Sequence, residues 1–251
     1  MQDPIIDALI RIHEGIPRKG PGSDQLARSI IQRFACHVPA DPRMADLGCG
    51  NGHSAFLLTE LLGGHVTAVD FAPAFIDELR RRLEGHPRAG SITPVTGDML
   101  EPGLVAGSCH LVWSEGAAFA VGIDNALRTW KPLLSPGGIL VYSECCWFTP
   151  EPSPEVAAFW EKNYPDIRSV GENITRAEGL GYRFLAAEAL PREAWWTSYF
   201  DPLGARLDEM EAEVEPGSVL QQVISDARWE ADLFRRHGDE YGYAFFVLKA
   251  D

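Results

Sequence analysis

A chain of 251 residues is long enough for one large domain with its own core, and 45% hydrophobic with 23% charged residues is ordinary for a soluble globular fold. Its formal net charge of −14 works against a phosphate backbone or an anionic bilayer as principal partner. The first residues lack a basic start before a long apolar core, and no apolar run approaches the ~20 residues that span a bilayer. The expected setting is therefore cytoplasmic, with neither nucleic acid nor membrane as partner. The five cysteines are odd in number and show no CxxC spacing, so reduced thiols are expected, and no metal site.

In chain order, an N-terminal helical segment is followed by "IPRKGPGS", a loop, and then by a helix capped at Ser23 with Leu26, Ile30 and Phe34 as its apolar stripe. Residues 1–42 read as an N-terminal helical cap region. "RMADLG" at 43–48 is a strand, and His53 to Leu62 a helix with Phe56, Leu57 and Leu61 on its buried side. "HVTAVDF" at 65–71 is the next strand. Pro73 opens a helix whose three late arginines suit its dipole and which Gly85 ends. Residues 91–98, 109–116 and 138–148 read as three more strands. A helix from about Ala118 to Leu134 and an "SPGG" turn at 135–138 precede the last of these. Strand–helix alternation with short loops means a parallel sheet with right-handed crossovers, an open doubly wound α/β fold, and 43–148 would be its ligand-binding core.

The second half changes character. Proline-rich "TPEPSPE" opens an insertion at 149–171. Helical segments near 156–164 and 172–180 lead to a strand near 182–190. Residues 191–240 are mostly helical and acidic, beginning with Trp195, Trp196, Tyr199 and Phe200. "YGYAFFVLKA" at 241–250 closes the chain as a strand.

In an open α/β sheet, ligands bind beyond the carboxyl ends of the strands. There stands "ADLGCGNGHS", with Gly48, Gly50 and Gly52 at alternate positions. No Gly-Lys-Ser/Thr follows, so this is not a P-loop, and His53 replaces the third glycine of a dinucleotide turn. Asp46 at the mouth of the loop would repel a pyrophosphate and attract an ammonium or a sulfonium. S-adenosylmethionine carries both cations and no phosphate. Asp70 ends the second strand, where an acid can accept from both ribose hydroxyls. Asp98, followed by Met99, ends the third, where a carboxylate can meet an adenine amino group and a thioether its ring face. Taken singly, each acid could be a helix cap or a turn former.

"MADLGCGNGHSAFLL", "VTAVDFAPAFID", "VTGDML" and "LVWSEGAAFAVGIDNALRTWKPLLSPGGILVYSE" resemble, in order, the motifs of class I S-adenosylmethionine-dependent methyltransferases. "PRKGPGS", "LPREAWWTSYFDPL" and "YGYAFFVLKA" are similar to a bacterial subgroup acting on small molecules. The resemblance implies a Rossmann-like, mostly parallel seven-stranded sheet with an antiparallel last strand and a helical insertion before it. It implies S-adenosylmethionine as cofactor: Asp46, Gly48, Gly50 and Gly52 at the methionine part, Asp70 with neighbouring Phe71 at the ribose, and Asp98 with Met99 at the adenine. Ser114 and Glu115, at the end of the fourth strand, fall nearest the methyl. Glu115 could be a base, an orienting acceptor, a cap or a cofactor ligand, and no catalytic residue is assigned. Trp147, Trp195 and Tyr199 are expected in the wall of an acceptor pocket, with core packing as the alternative, and Glu144 is either polar core or a substrate contact. The partner would be a small-molecule methyl acceptor, and the assembly a monomer or homodimer. An NAD(P)-dependent oxidoreductase and a non-catalytic S-adenosylmethionine-binding module are the rival classes.

Overall fold

The computed structural model describes residues 3–212 and 214–250. Their strands are β1 (Arg43–Leu47), β2 (His65–Asp70), β3 (Ile92–Thr96), β4 (Cys109–Ser114), β5 (Leu134–Trp147), β6 (Arg168–Ser169), β7 (Tyr182–Ala189) and β8 (Tyr241–Ala250). Seven form one path in the order β3-β2-β1-β4-β5-β8-β7, and two-residue β6 pairs with the end of β5. β1 to β5 run parallel, and β8 lies antiparallel to both β5 and β7. The antiparallel closing strand is as expected; the eighth strand was not.

Helices α1 (Pro4–His13), α2 (Asp24–Phe34), α3 (His53–Leu62) and α4 (Pro73–Leu83) precede β3. α5 (Ile123–Trp130) lies before β5, and α6 (Pro154–Asn163) and α7 (Val170–Gly179) before β7. Between β7 and β8 stand α8 (Arg192–Trp195), a π-helical turn (Trp196–Phe200), α9 (Asp201–Glu211) and α10 (Val219–His237). The caps follow local chemistry. The Ser23 hydroxyl accepts from the Leu26 N–H, and Ser169 and Glu172 form a capping box on α7.

Alternation along the strands feeds a core on each face of the sheet. Met44, Trp113 and Cys145 face α1–α4 and the α8–α10 insertion, whereas Ala45, Leu47, Tyr142 and Cys146 face α5 and α7. Buried Trp130 on the second face keeps its indole N–H satisfied by donating to the Met99 carbonyl at 2.9 Å.

Two expectations need correction. The helix expected from Ala118 to Leu134 is broken into a 3₁₀ turn at 118–121, α5, and a second 3₁₀ turn at 131–133. Gly122 at φ 80° makes the first break. Pro132, which cannot continue an i→i−4 ladder, sits in the second. The "SPGG" segment is not a free turn but lies inside β5, at a shift in register between Cys109 and Leu111; Gly137, at φ 76°, absorbs the bulge.

Candidate active site

The loop after β1 is folded by its backbone before any side chain acts. The N–H groups of Gly48 and Cys49 both donate to the Val69 carbonyl, at 2.8 and 3.0 Å, which turns the chain over the end of β2. Gly48, Gly50 and Gly52 take φ of 76°, 54° and 78°, a region open to glycine at little cost. A Cβ on Gly48 would lie 2.3 Å from the Ala117 Cβ, and one on Gly52 2.4 Å from the Leu79 Cδ1. The loop is therefore pressed between α4 and the segment after β4.

Beyond the strand ends this loop floors a cavity of about 210 Å³. Of the ten residues expected at the cofactor, Asp46, Gly48, Gly50, Asp70, Phe71, Met99 and Glu115 line it. Gly52, Asp98 and Ser114 do not. Gly52 turns the chain into α3. Exposed Asp98 accepts from the Leu100 N–H at 2.8 Å, the turn-forming alternative. The Ser114 hydroxyl is buried without a partner. A wider surface groove of about 670 Å³, between the 14–17 segment, α4 and α9, lies away from the glycine loop.

The acids differ in what holds them. Asp70 braces the loop: its carboxylate accepts from the N–H of Gly50 at 2.8 Å and of Ala72 at 2.9 Å. Burial raises its pKa despite those two bonds. Asp46 is 1% exposed, and its Oδ2 has no hydrogen-bond partner. Burial, and then the negative charges of Glu115 and Asp70, push its carboxyl far above the usual range. Such a group is poised for a cationic hydrogen-bond donor. Glu115, by contrast, is already engaged. Its Oε1 accepts from Arg18 at 3.0 Å, and its Oε2 accepts from the Ser54 hydroxyl at 2.7 Å.

Arg18 escaped the sequence reading. It is 7% exposed, lines the cavity, and bridges Glu115 to Asp24, which it meets at 2.7 Å. Burial opposes its charge, and Glu115 and Asp24 together overcome that opposition. The one sequence signal for it is Gly22, whose φ does not demand glycine. A Cβ there would lie 2.2 Å from the Arg18 Nη1 and 2.5 Å from the Glu115 Oε1. Lys19 roofs the cavity beside it, its ammonium donating to Glu78 at 2.6 Å and lying 4.8 Å from the Phe75 ring centre.

Trp147, Trp195 and Tyr199 do not line this cavity. Trp195 is buried and stacks on Phe234 at 4.3 Å. Trp147 meets Tyr241 edge-on at 6.5 Å. The Tyr199 hydroxyl is 2.9 Å from the His13 Nε2, while the His13 Nδ1 is 2.7 Å from the Leu9 carbonyl. A carbonyl can only accept, so Nδ1 carries the proton and Tyr199 donates to Nε2. These rings bury the apolar side of the insertion against α1 and β8. Phe71, Phe75 and Phe119 supply the cavity's aromatic wall instead.

Comparison with known proteins agrees with this geometry. Residues 44–138 match the family model described as "Methyltransferase domain". A trans-aconitate 2-methyltransferase of Escherichia coli is 26% identical over 202 residues, covering 75% of this chain and 69% of that protein. Phosphoethanolamine N-methyltransferase 1 of Triticum aestivum is 25% identical over 215 residues, 84% of this chain and 42% of that protein. The crystal structure of a SAM-dependent methyltransferase from Thiobacillus denitrificans in complex with S-adenosyl-L-homocysteine superposes with a TM-score of 0.78 at 20% identity, covering 100% of both chains. With a glycine loop and an unpartnered carboxylate at the ends of a Rossmann-like sheet, the chain is similar in sequence and in fold to S-adenosylmethionine-dependent methyltransferases.

Proposed function

We propose that the cavity at the Gly48–Gly52 loop takes the amino-acid end of S-adenosylmethionine and that the chain methylates a small-molecule acceptor. The observation that carries this reading is the unpartnered Oδ2 of Asp46, sealed in a pocket of glycine backbone. An ammonium would supply the hydrogen bond and the opposite charge that this oxygen lacks. Arg18 and Lys19 are cations among the same lining residues, and the Arg18 fork, which already holds Glu115 and Asp24, keeps further N–H groups that suit a carboxylate. Asp46 and Arg18 thus present opposite charges to the two ends of an amino acid. Asp70, already holding the loop, still offers its carboxylate oxygens to ribose hydroxyls, and Met99 and Phe71 offer apolar faces to a base.

The sulfonium, when bound, supplies an electrophilic methyl group. This chain's residues then have to bind, align and exclude water. A small acceptor fits the named activities of the relatives above and a net charge of −14 that disfavours nucleic acid. Among the described residues no helix is long and apolar enough to cross a membrane. A cytoplasmic enzyme of bacterial type, monomer or homodimer, is the setting that this reading implies. Calorimetric titration with S-adenosylmethionine, S-adenosylhomocysteine and NAD tests it. Saturable binding of the first two and none of NAD is expected. Tighter binding of NAD would overturn it.

A further inference from the structure

One carboxylate beside the cavity is not accounted for by the cofactor. β4 and β5 pair Ser114 with Tyr142, two residues before Glu144, and just past the end of β4 the Gly116 N–H donates to the Ser143 hydroxyl at 2.8 Å. Gly116 and Phe119 line the cavity. Phe119 meets the Tyr164 ring edge-on at 5.9 Å, and Tyr164 in turn lies close enough to Glu144 to interact with it electrostatically. Glu144 is 2% exposed, and neither of its oxygens has a hydrogen-bond partner of ordinary geometry; nor has the Tyr164 hydroxyl. The Tyr164 hydroxyl and the Cys145 backbone N–H ease the buried charge only in part, and a further donor on a ligand would reduce the remaining cost.

The surroundings select the donor. The groups facing Glu144 are Tyr164 and Asp166 from the segment after α6, Cys146 on its own strand, and Arg176 from α7. Tyr142 and Cys145 on β5 and Tyr243 on β8 interact with it as well. Arg176 is the one cation in that set; its Nε and Nη2 pair with Asp124 and Asp166, while its Nη1 is buried without a partner. A buried carboxylate beside two aromatic rings, whose neighbouring arginine is held by two other carboxylates, suits a cation with N–H donors.

We propose that Glu144, walled by Tyr164 and Phe119, receives the amino group of the methyl acceptor and takes the proton that its nitrogen must lose. The inference rests on the cavity being the methyl-donor site. The step balances. An ammonium N–H proton passes to the Glu144 carboxylate, and the freed lone pair forms the bond to the methyl carbon. The carbon–sulfur bond breaks with its electron pair going to sulfur, which becomes a neutral thioether, and the methylated nitrogen carries the positive charge. Burial lifts the Glu144 carboxyl to about 8, in the range useful to a proton acceptor near neutral pH.

The test loads the protein with S-adenosylhomocysteine and titrates it with methylammonium, benzylammonium and, as an anion, acetate. At least one ammonium probe should bind saturably, and roughly tenfold or more weaker to Glu144→Gln, the loss expected of a charge-assisted hydrogen bond. S-adenosylhomocysteine affinity should stay within about twofold in that variant, as expected when no cofactor contact is lost, which also reports its folding. Ammonium binding to the wild type should release a proton, seen as a buffer-dependent heat, because the isolated carboxyl is held protonated; Glu144→Gln should release none. Equal ammonium affinity in both proteins, tighter binding of acetate, or no ammonium binding to the loaded wild type overturns the proposal. Failure of S-adenosylhomocysteine to bind the wild type would instead remove the cofactor reading beneath it.

Discussion

Asp46 is buried with one oxygen unpartnered, and burial with the charges of Glu115 and Asp70 favours its neutral form. An ammonium brought against it would draw that proton off. Two consequences follow by linkage. Binding of S-adenosylhomocysteine should release a proton, and affinity should rise with pH from about 6 to 7.5, while the ligand's own amino group stays charged. Asp46→Asn should weaken S-adenosylhomocysteine by roughly 10–100-fold, the value of a charge-assisted hydrogen bond, and should abolish the proton release. Methylthioadenosine has no amino-acid end and should bind both proteins alike. Equal losses for the two ligands by calorimetry would show that Asp46 does not face the ammonium. Gly48 makes a steric prediction at the same scale. Gly48→Ala places a Cβ 2.3 Å from that of Ala117 at a φ of 76°. Left-handed strain of about 1–2 kcal/mol and overlap of about 1–3 kcal/mol should lower the melting temperature by roughly 4–20 °C. A variant melting with the wild type would show that the segment after β4 yields freely.

At the scale of elements, the loop that roofs the cavity is tied to a segment far away in sequence. Arg18 and Lys19 come from the loop after α1, and the Gly22 N–H of that loop donates to the Ser198 hydroxyl in the π-helical turn at 3.2 Å. π-turns cluster at functional sites because their looser ladder can shift register. We expect residues 15–22 and 196–204 to act as one lid, with amide exchange in both slowing when S-adenosylhomocysteine binds and slowing further with an acceptor. Slowing in one segment alone would show that they are not coupled. Legibility in the sequence divides along the same line. α3 was readable at His53–Leu62 because Gly52 and Gly63 bracket it locally. The glycine loop and Asp46 were readable because their pattern spans a few residues. Arg18 was not, because its partner Glu115 lies 97 residues away and only folding joins them. The bulge in β5, the two residues of β6 and the π-turn are likewise set by what packs against them. The Trp195 and Tyr199 side chains show the limit in reverse: their aromatic character was plain, but whether they face a ligand or a core depends on α10.

The whole molecule carries its buried acids as a pH-dependent burden. Burial raises Asp46 and Asp70, and it lifts Glu144 to about 8 and half-buried Glu230 to about 7. These shifts favour the protonated form in the fold, while the unfolded counterparts ionise near pH 4. Their contribution is therefore full below the unfolded pKa and lost as pH rises through the folded one, at up to about 1.4 kcal/mol per group and pH unit. His13 and His53 have the opposite sign. Burial lowers both, so the unfolded chain binds their protons first, and their contribution is lost as pH falls below about 6.5. Asp24 and Asp166, lowered by ion pairs that outweigh the opposing desolvation, lose their contribution only below about 4. The four raised acids outnumber the two histidines, and above about 6.5 nothing offsets them, while a net charge of −14 adds repulsion. The melting temperature of the ligand-free protein should peak near pH 4–5 and fall steadily to pH 8. S-adenosylhomocysteine should raise it more at pH 8 than at pH 6, because the ammonium lets Asp46 ionise at no cost. The double variant Asp46→Asn, Glu144→Gln should flatten the alkaline decline and lose that ligand-specific gain. Thermal melts at three pH values, with and without ligand, read all of this out. A melting temperature that rises between pH 6 and 8 in the ligand-free protein would mean that these carboxylates are ionised in the fold, and would rule out the proton release expected when an ammonium binds beside them.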